Sequence, residues 1–119
     1  MVDIDRMRAD KPEELSRLIV DRLNAGDVEG LVALYEPDAV LALPAGAVAT
    51  GSAEIRAAYQ RITAGRPTFS PGTPKPTLRC GDYALTSTRL PGGATTVEVA
   101  HRQSDGTWRW IIDNPNATG

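Results

Sequence analysis

Residues 83–114, YALTSTRLPGGATTVEVAHRQSDGTWRWIIDN, contain three segments in which the character of the side chains alternates. The segments are 83–90, 95–102 and 107–114, and alternation of this kind predicts β-strands. Pro91-Gly92-Gly93 separates the first two segments and Ser104-Asp105-Gly106 the last two, and both are typical hairpin turns. The sequence therefore predicts an antiparallel meander in the last third of the chain.

Helical periodicity dominates the first half of the chain. Apolar residues recur at helical spacing in 12–23, 28–35 and 52–62, and Pro37 ends the second of these segments. A short apolar run at 39–43, bounded by turn residues, predicts a first strand. Helices followed by antiparallel strands predict an α+β fold, with three N-terminal helices packed on one sheet face.

Length and charge limit the classes of protein to consider. The chain has 119 residues, 41% of them hydrophobic, which predicts one domain over 1–119 with 1–9 as a flexible arm. A net charge of −2 without any Lys/Arg-rich run argues against nucleic-acid and membrane partners. No apolar stretch is long enough to span a membrane, and residues 1–5 do not resemble a secretory signal. We therefore expect a cytoplasmic protein.

The chain holds one histidine, His101, and one cysteine, Cys80. It therefore forms no intrachain disulfide, and it supplies neither a zinc site nor a Cys/His nucleophile pair without a partner chain. Strand alternation places His101 outward, which predicts a surface or interface histidine rather than a base. Cys80 has no base nearby in sequence, so we expect a buried or inert thiol.

Five short motifs occur in a fixed order between residues 12 and 115. They are Asn24-Ala25-Gly26-Asp27, Leu34-Tyr35-Glu36-Pro37-Asp38-Ala39-Val40, Gly51 with Ile55-Arg56, Gly81-Asp82-Tyr83-Ala84 and Asp105-Gly106-Thr107-Trp108-Arg109. Together they resemble the nuclear transport factor 2-like superfamily, and its SnoaL-like branch in particular. The resemblance implies a cystatin-like cone, in which a curved, mostly antiparallel sheet wraps around three helices and an apolar pocket opens at the wide end. The superfamily includes isomerases, cyclases and non-catalytic adaptors, so the fold alone does not choose a function.

The positions that carry the chemistry of ketosteroid isomerases in this superfamily are apolar here. By the resemblance, the general-base aspartate corresponds to Leu43, the oxyanion tyrosine to Ile19 and the protonated aspartate to Ala100. Tyr35 and Tyr59 resemble the tyrosines that line the isomerase pocket. Because enolisation needs both a base and an oxyanion donor, we expect no isomerase activity by that mechanism.

The two faces of the sheet can be assigned in opposite ways. One face of the predicted strands carries Val97, Val99, Trp108 and Trp110, and hydrophobicity alone would turn this face toward the helices. The resemblance instead places the Ala100 position inside and this face outside. We follow the resemblance, and the apolar outer face then predicts a homodimer through Val97, Val99, Trp108 and Trp110. The side chains predicted to line the pocket are Tyr35, Leu43, Tyr59, Thr86, Thr88, Ala100, Arg102 and Ile111.

Two acidic residues fall on the predicted inner face. Asp113 resembles the sheet aspartate used for proton transfer in polyketide cyclases, and an apolar cavity would raise its pKa. The alternative is that Asp113 caps the strand end at the solvent edge. Glu98 could likewise transfer protons, or it could form an ion pair with Arg89 or Arg102.

Two functional hypotheses follow from these assignments. The first is a SnoaL-like protein whose pocket binds a small lipophilic or polyketide-like molecule, with acid/base chemistry by Asp113 or Glu98 and no cofactor. The second is a non-catalytic dimeric ligand-binding or adaptor module.

Overall fold

In the computed structural model, which describes residues 8–117, helices pack on one face of a seven-stranded sheet. The helices are α1 (Leu15–Ala25), α2 (Val28–Val32) and α3 (Gly51–Thr63), with single 3-10 turns at Pro12–Glu14 and Pro44–Gly46. The strands are β1 (Tyr35–Ala42), β2 (Val48–Thr50), β3 (Thr73–Pro74), β4 (Leu78–Cys80), β5 (Tyr83–Arg89), β6 (Thr95–Arg102) and β7 (Trp108–Asn114). This is the mixed α+β arrangement that the sequence predicts.

The sheet has the strand order β2-β1-β7-β6-β5-β3, and β4 also pairs with β5. β5, β6 and β7 form the predicted antiparallel meander. β1 pairs in parallel with the edge of β7 that faces away from β6. The long pairings β5–β6 and β6–β7 position most of the inner-face side chains. The proline-rich segment forms only the two-residue strand β3, as expected where ladder donors are missing.

Local capping explains where the first two helices meet. Gly26 ends α1 in the left-handed conformation, φ 66°, and its N–H donates to the carbonyls of Arg22 and Leu23. The Asp27 carboxylate then accepts a hydrogen bond from the Gly30 N–H at 2.9 Å and so caps α2. Just before the first 3-10 turn, the backbone N–H of Asp10 donates to Glu14 Oε1 at 2.8 Å.

The second helix is shorter than predicted. It ends at Val32, and β1 begins at Tyr35, so Tyr35 lies on a strand rather than on a helix. Pro37 is tolerated in β1 because the register with β7 shifts between Tyr35 and Val40, where the ladder is interrupted.

A β-bulge in β7 overturns part of the predicted face assignment. Val99 pairs with Ile112 but the next residue, Ala100, pairs with Trp110, so Ile111 is the extra residue. Strict alternation places Trp108 and Trp110 outside, and this prediction is wrong: they are 5% and 2% exposed. Both tryptophans belong to the core, which is the position that hydrophobicity alone predicts for them.

On β5 and β6 the alternation follows the prediction. Alternate residues of both strands, including Thr86, Glu98 and Ala100, are buried, while Val97 and Val99 are half-buried on the opposite face. His101 is also on the outer face, where it stacks on Tyr83 with ring centroids 4.6 Å apart and places Nδ1 3.0 Å from Glu36 Oε2. Cys80 is exposed rather than buried.

The predicted N-terminal arm lies mostly outside the described residues, since 1–7 are not among them. The prediction fails for its last two residues, which are attached to the domain. Ala9 is buried and forms a β-bridge with Trp108, and Arg8 forms an ion pair with Asp105 at 2.8 Å. Within residues 8–117, no helix combines the length and hydrophobicity needed to cross a membrane.

Candidate functional site

A cavity of about 540 Å³ lies between α1, α3 and the inner face of the sheet. Its walls are almost entirely apolar, and the proline-rich segment 69–74 forms one side. Asn24 holds that side in place, since its side chain donates to the Phe69 carbonyl at 2.9 Å and accepts from the Phe69 N–H at 2.7 Å. The main apolar lining residues are Ile19, Leu23, Leu43, Ile62, Phe69 and Trp110.

Six of the eight residues predicted to line the pocket lie at the cavity or are buried next to it. Leu43, Tyr59 and Thr88 line the cavity. Buried positions behind its wall hold Tyr35, Thr86 and Ala100.

Arg102 and Ile111 are the two lining predictions that are wrong. Arg102 points to solvent at the end of β6 and pairs with Asp82 instead. Ile111 is displaced from the inner face because it is the bulge residue. Asp113 and Glu98 do line the cavity.

Three side chains form a buried hydrogen-bonded chain at the cavity wall. The Tyr35 hydroxyl donates to Asp113 Oδ2 at 2.5 Å and lies 2.5 Å from the Tyr59 hydroxyl. Both ends of this chain, Tyr59 and Asp113, line the cavity, while Tyr35 joins them from behind. The elements that supply them are α3, β7 and β1, so the chain depends on the parallel pairing of β1 with β7.

Asp113 is a carboxyl group in an apolar place. It is 4% exposed, so the solvent-edge capping role is wrong. Burial and the negative charge of Glu98 raise its pKa from 3.8 to about 7, and the hydrogen bond from Tyr35 opposes that rise. Both protonation states are therefore populated near neutral pH, which suits a group that accepts and returns a proton.

Glu98 is the direct cross-strand partner of Asp113 and is also 4% exposed. Burial raises its pKa, while hydrogen bonds from the Thr96 and Thr86 hydroxyls counteract this, the Thr86 bond measuring 2.7 Å. The predicted ion pair with Arg102 is not formed. Threonine hydroxyls hold Glu98 on the inner face instead.

The protonation state of Asp113 determines what the tyrosines offer to the cavity. When Asp113 is ionised, Tyr35 donates to it, so Tyr59 must donate to Tyr35 and presents only lone pairs elsewhere. Burial and the charge of Asp113 raise the pKa values of both tyrosines, which therefore stay neutral.

Parts of the site have no clear signal in the sequence. Strand alternation places Trp110 on the wrong face, nothing in the pattern distinguishes Thr96, and the Phe69 wall has no signal beyond its clustered prolines. No group of three or more potential metal-ligating side chains occurs within residues 8–117.

Comparison with known proteins identifies the family. A family model for the SnoaL-like domain matches residues 16–114. No curated protein sequence matches the chain.

Three of the solved structures that are similar to this chain illustrate the shared fold. A candidate calcium/calmodulin-dependent protein kinase type II association domain from Thiobacillus denitrificans is 17% identical, with TM-score 0.73 over 88% of this chain and 94% of that one. A ketosteroid isomerase-like protein from Erwinia carotovora is 19% identical, with TM-score 0.66 over 87% and 95%. An NTF2-like protein with a cystatin-like fold from Novosphingobium aromaticivorans is 22% identical, with TM-score 0.66 over 86% and 76%.

The fold thus defines a cystatin-like α+β protein of the nuclear transport factor 2-like superfamily. Within that superfamily the chain belongs to the SnoaL-like domain family, which confirms the resemblance seen in the sequence.

Proposed function

We propose that this protein binds a small lipophilic or polyketide-like molecule in the cavity and that Asp113 exchanges a proton with it. The observation that supports this proposal best is the burial of the Asp113 carboxyl in an otherwise apolar wall, bonded to a tyrosine chain that returns to the same cavity. Burial disfavours the ionised form of this carboxyl, and a strongly perturbed acid at a cavity wall is a candidate for proton transfer.

The proposed chemistry is cofactor-independent acid/base transfer. Ionised Asp113 removes a proton from a carbon next to a ligand carbonyl, and the electron pair of the broken C–H bond moves into the enolate. The protonated Asp113 then returns the proton to the same or a neighbouring atom, so the enzyme is regenerated. The Thr88 hydroxyl at the cavity wall donates a hydrogen bond to the enolate oxygen, Tyr59 orients the ligand, and the apolar walls exclude water.

The proposed mechanism is distinct from that of the ketosteroid isomerases. Leu43 and Ile19 line the cavity and Ala100 is buried, so none of the three corresponding positions carries a polar side chain. The Erwinia protein is described as ketosteroid isomerase-like, and its similarity to this chain concerns the fold. The proposed proton transfer therefore starts from an acid of the sheet, Asp113 on β7.

The experiment uses hydrogen–deuterium exchange, which requires no knowledge of the natural substrate. Cyclic ketones such as tetralone are incubated with the protein in D₂O, and NMR follows the loss of the signals from protons next to the carbonyl. We expect exchange above the buffer rate with the wild type and loss of that excess with Asp113→Asn. Asp38→Asn is the matched control, because it makes the same chemical change at an exposed position of β1.

Binding is measured separately by thermal shift with the same ketones. Binding without exchange would refute proton transfer and leave a ligand-binding protein. Neither binding nor exchange for any cyclic ketone would refute the proposed function.

A homodimer through the outer sheet face is a second proposal, independent of the cavity. Trp108 and Trp110 are buried in the core, so the proposed interface does not include them. Tyr83, Leu85 and Ile112 are large apolar side chains left exposed on β5 and β7, next to half-buried Val97 and Val99.

Light scattering with Leu85→Lys tests the dimer. Val48→Lys is the control, since Val48 is exposed on the edge strand β2. We expect a wild-type dimer that only the first substitution dissociates, and a wild-type monomer would refute the proposal.

A further inference from the structure

The carboxyl groups inside the cavity belong to two neighbouring acids, Glu98 and Asp113. Glu98 and Asp113 are direct cross-strand partners on the inner face, where side chains of paired residues begin about 4.5–5.5 Å apart. Both are buried, and both line the cavity. Among the described lining residues the one basic side chain is Arg17, which is exposed at the rim. Two buried acids thus face the interior without a cation between them.

The ionised acids and Tyr59 offer hydrogen-bond acceptors to the cavity, whereas the lining hydroxyls of Ser16, Ser70 and Thr88 can also donate. Oδ2 of Asp113 accepts from Tyr35, and its other oxygen, Oδ1, has no hydrogen-bond donor within residues 8–117. When Asp113 is ionised, the Tyr59 hydroxyl uses its proton on Tyr35 and offers lone pairs to the cavity. Glu98 accepts from threonine hydroxyls and is likewise an acceptor. Three acceptor groups therefore border the same space.

A ligand that complements this arrangement brings donors and a positive charge. An ammonium group has three N–H donors and no acceptor, and it forms charge-assisted hydrogen bonds with carboxylates. It would also reduce the repulsion between two neighbouring buried acids. A carboxylate ligand would add a third negative group to the same enclosed space.

We propose that the cavity selects lipophilic amines, binding the ammonium group between Asp113, Glu98 and Tyr59 and the hydrocarbon part against the apolar walls. This inference rests on the proposed function, because it specifies the class of ligand for the same cavity. In the acid/base reaction, the ammonium group stays on Glu98 and Tyr59, which leaves Oδ1 of Asp113 to take the proton from a nearby carbon.

A series of probes with one hydrocarbon body tests the proposal. Adamantylmethylamine, adamantylmethanol and adamantanecarboxylate differ mainly in charge and donor capacity, and calorimetry gives the dissociation constant of each. We expect the amine to bind at least tenfold more tightly than the alcohol and the carboxylate to bind more weakly than both. Asp113→Asn and Glu98→Gln, which retain side-chain shape, should each reduce the amine-to-alcohol ratio at least fivefold, and Asp38→Asn should leave it unchanged.

Proton release gives a readout that simple loss of fold would not produce. A cation beside Asp113 favours its ionised form, so amine binding near neutral pH should release protons, seen as heats that depend on the buffer's ionisation enthalpy. The groups that face Asp113 are Glu98 from β6, Tyr35 from β1 and Tyr59 from α3. Asp113→Asn should remove most of this proton release while the alcohol still binds.

The outcomes separate the inference from the proposed function. Alcohol and amine binding equally well would overturn the amine preference while leaving a ligand-binding cavity. Tighter binding of the carboxylate, lost in Arg17→Gln, would show that the rim rather than the acid pair sets selectivity, and would also overturn it. If none of the three probes binds, the amine preference is wrong, and the ketone measurements decide the proposed function on their own.

Discussion

Replacing Asp113 by Asn should make the protein more stable at alkaline pH than the wild type. Folding raises the pKa of this carboxyl from 3.8 to about 7, so the native state holds a proton that the unfolded chain has lost between about pH 4 and pH 7. Stability therefore falls as pH rises through that window. Each pKa difference of one corresponds to about 1.4 kcal/mol, so ionised Asp113 destabilises the fold by about 4 kcal/mol above pH 7.

Asparagine resembles the protonated acid in shape and keeps an oxygen that accepts from Tyr35. We therefore expect the two proteins to have similar unfolding free energies near pH 4 and to diverge with rising pH, the variant being more stable by up to about 4 kcal/mol. Urea denaturation at several pH values measures the difference, and Asp38→Asn shows how much an exposed acid contributes. A difference that stays constant with pH, or a wild type that gains on the variant as pH rises, would refute the reasoning.

Three further predictions concern the site and the end of α1. Tyr35→Phe removes the hydroxyl that lowers the pKa of Asp113, so that pKa should rise further, and the unfolding free energy in urea should fall by about 1–3 kcal/mol because buried polar groups lose their partner. Thr86→Val removes a donor to Glu98 and should raise the Glu98 pKa in a carbon-13 NMR titration. Gly26→Ala should destabilise the fold by about 1 kcal/mol because φ is 66° there, whereas Gly92→Ala, with open space around its Cβ, should have little effect.

The overall fold could be predicted because its signals are local. Hairpin turns at 91–93 and 104–106 separate three alternating segments, and those segments are β5, β6 and β7. The start of β1 could not be predicted, because Tyr35 continues a helical pattern and its strand conformation depends on parallel pairing with a segment 75 residues away. Such a pairing has no signature within the local sequence.

The site was predicted less completely for a related reason. Inward positions on β5 and β6 follow from simple alternation, which is why Thr88 and Glu98 reach the cavity as expected. On β7 the alternation is interrupted by a bulge at Ile111, and no glycine, proline or other turn residue marks that position in the sequence. A β-branched apolar residue there looks like any other strand position, so counting along the strand places Trp108 and Trp110 on the wrong face.

That bulge is what combines an apolar wall with an acid. Trp110 and Asp113 are three residues apart, and in a regular strand they would point to opposite faces. The extra residue brings both to the inner face, where Trp110 packs against Tyr35 with ring centroids 5.7 Å apart and Asp113 accepts the Tyr35 hydrogen bond. Trp110 and Asp113 line the same cavity, and burial is the largest cause of the raised pKa of Asp113. A single irregular position in β7 therefore places an apolar wall residue on the same face as the acid on which the proposed proton transfer depends.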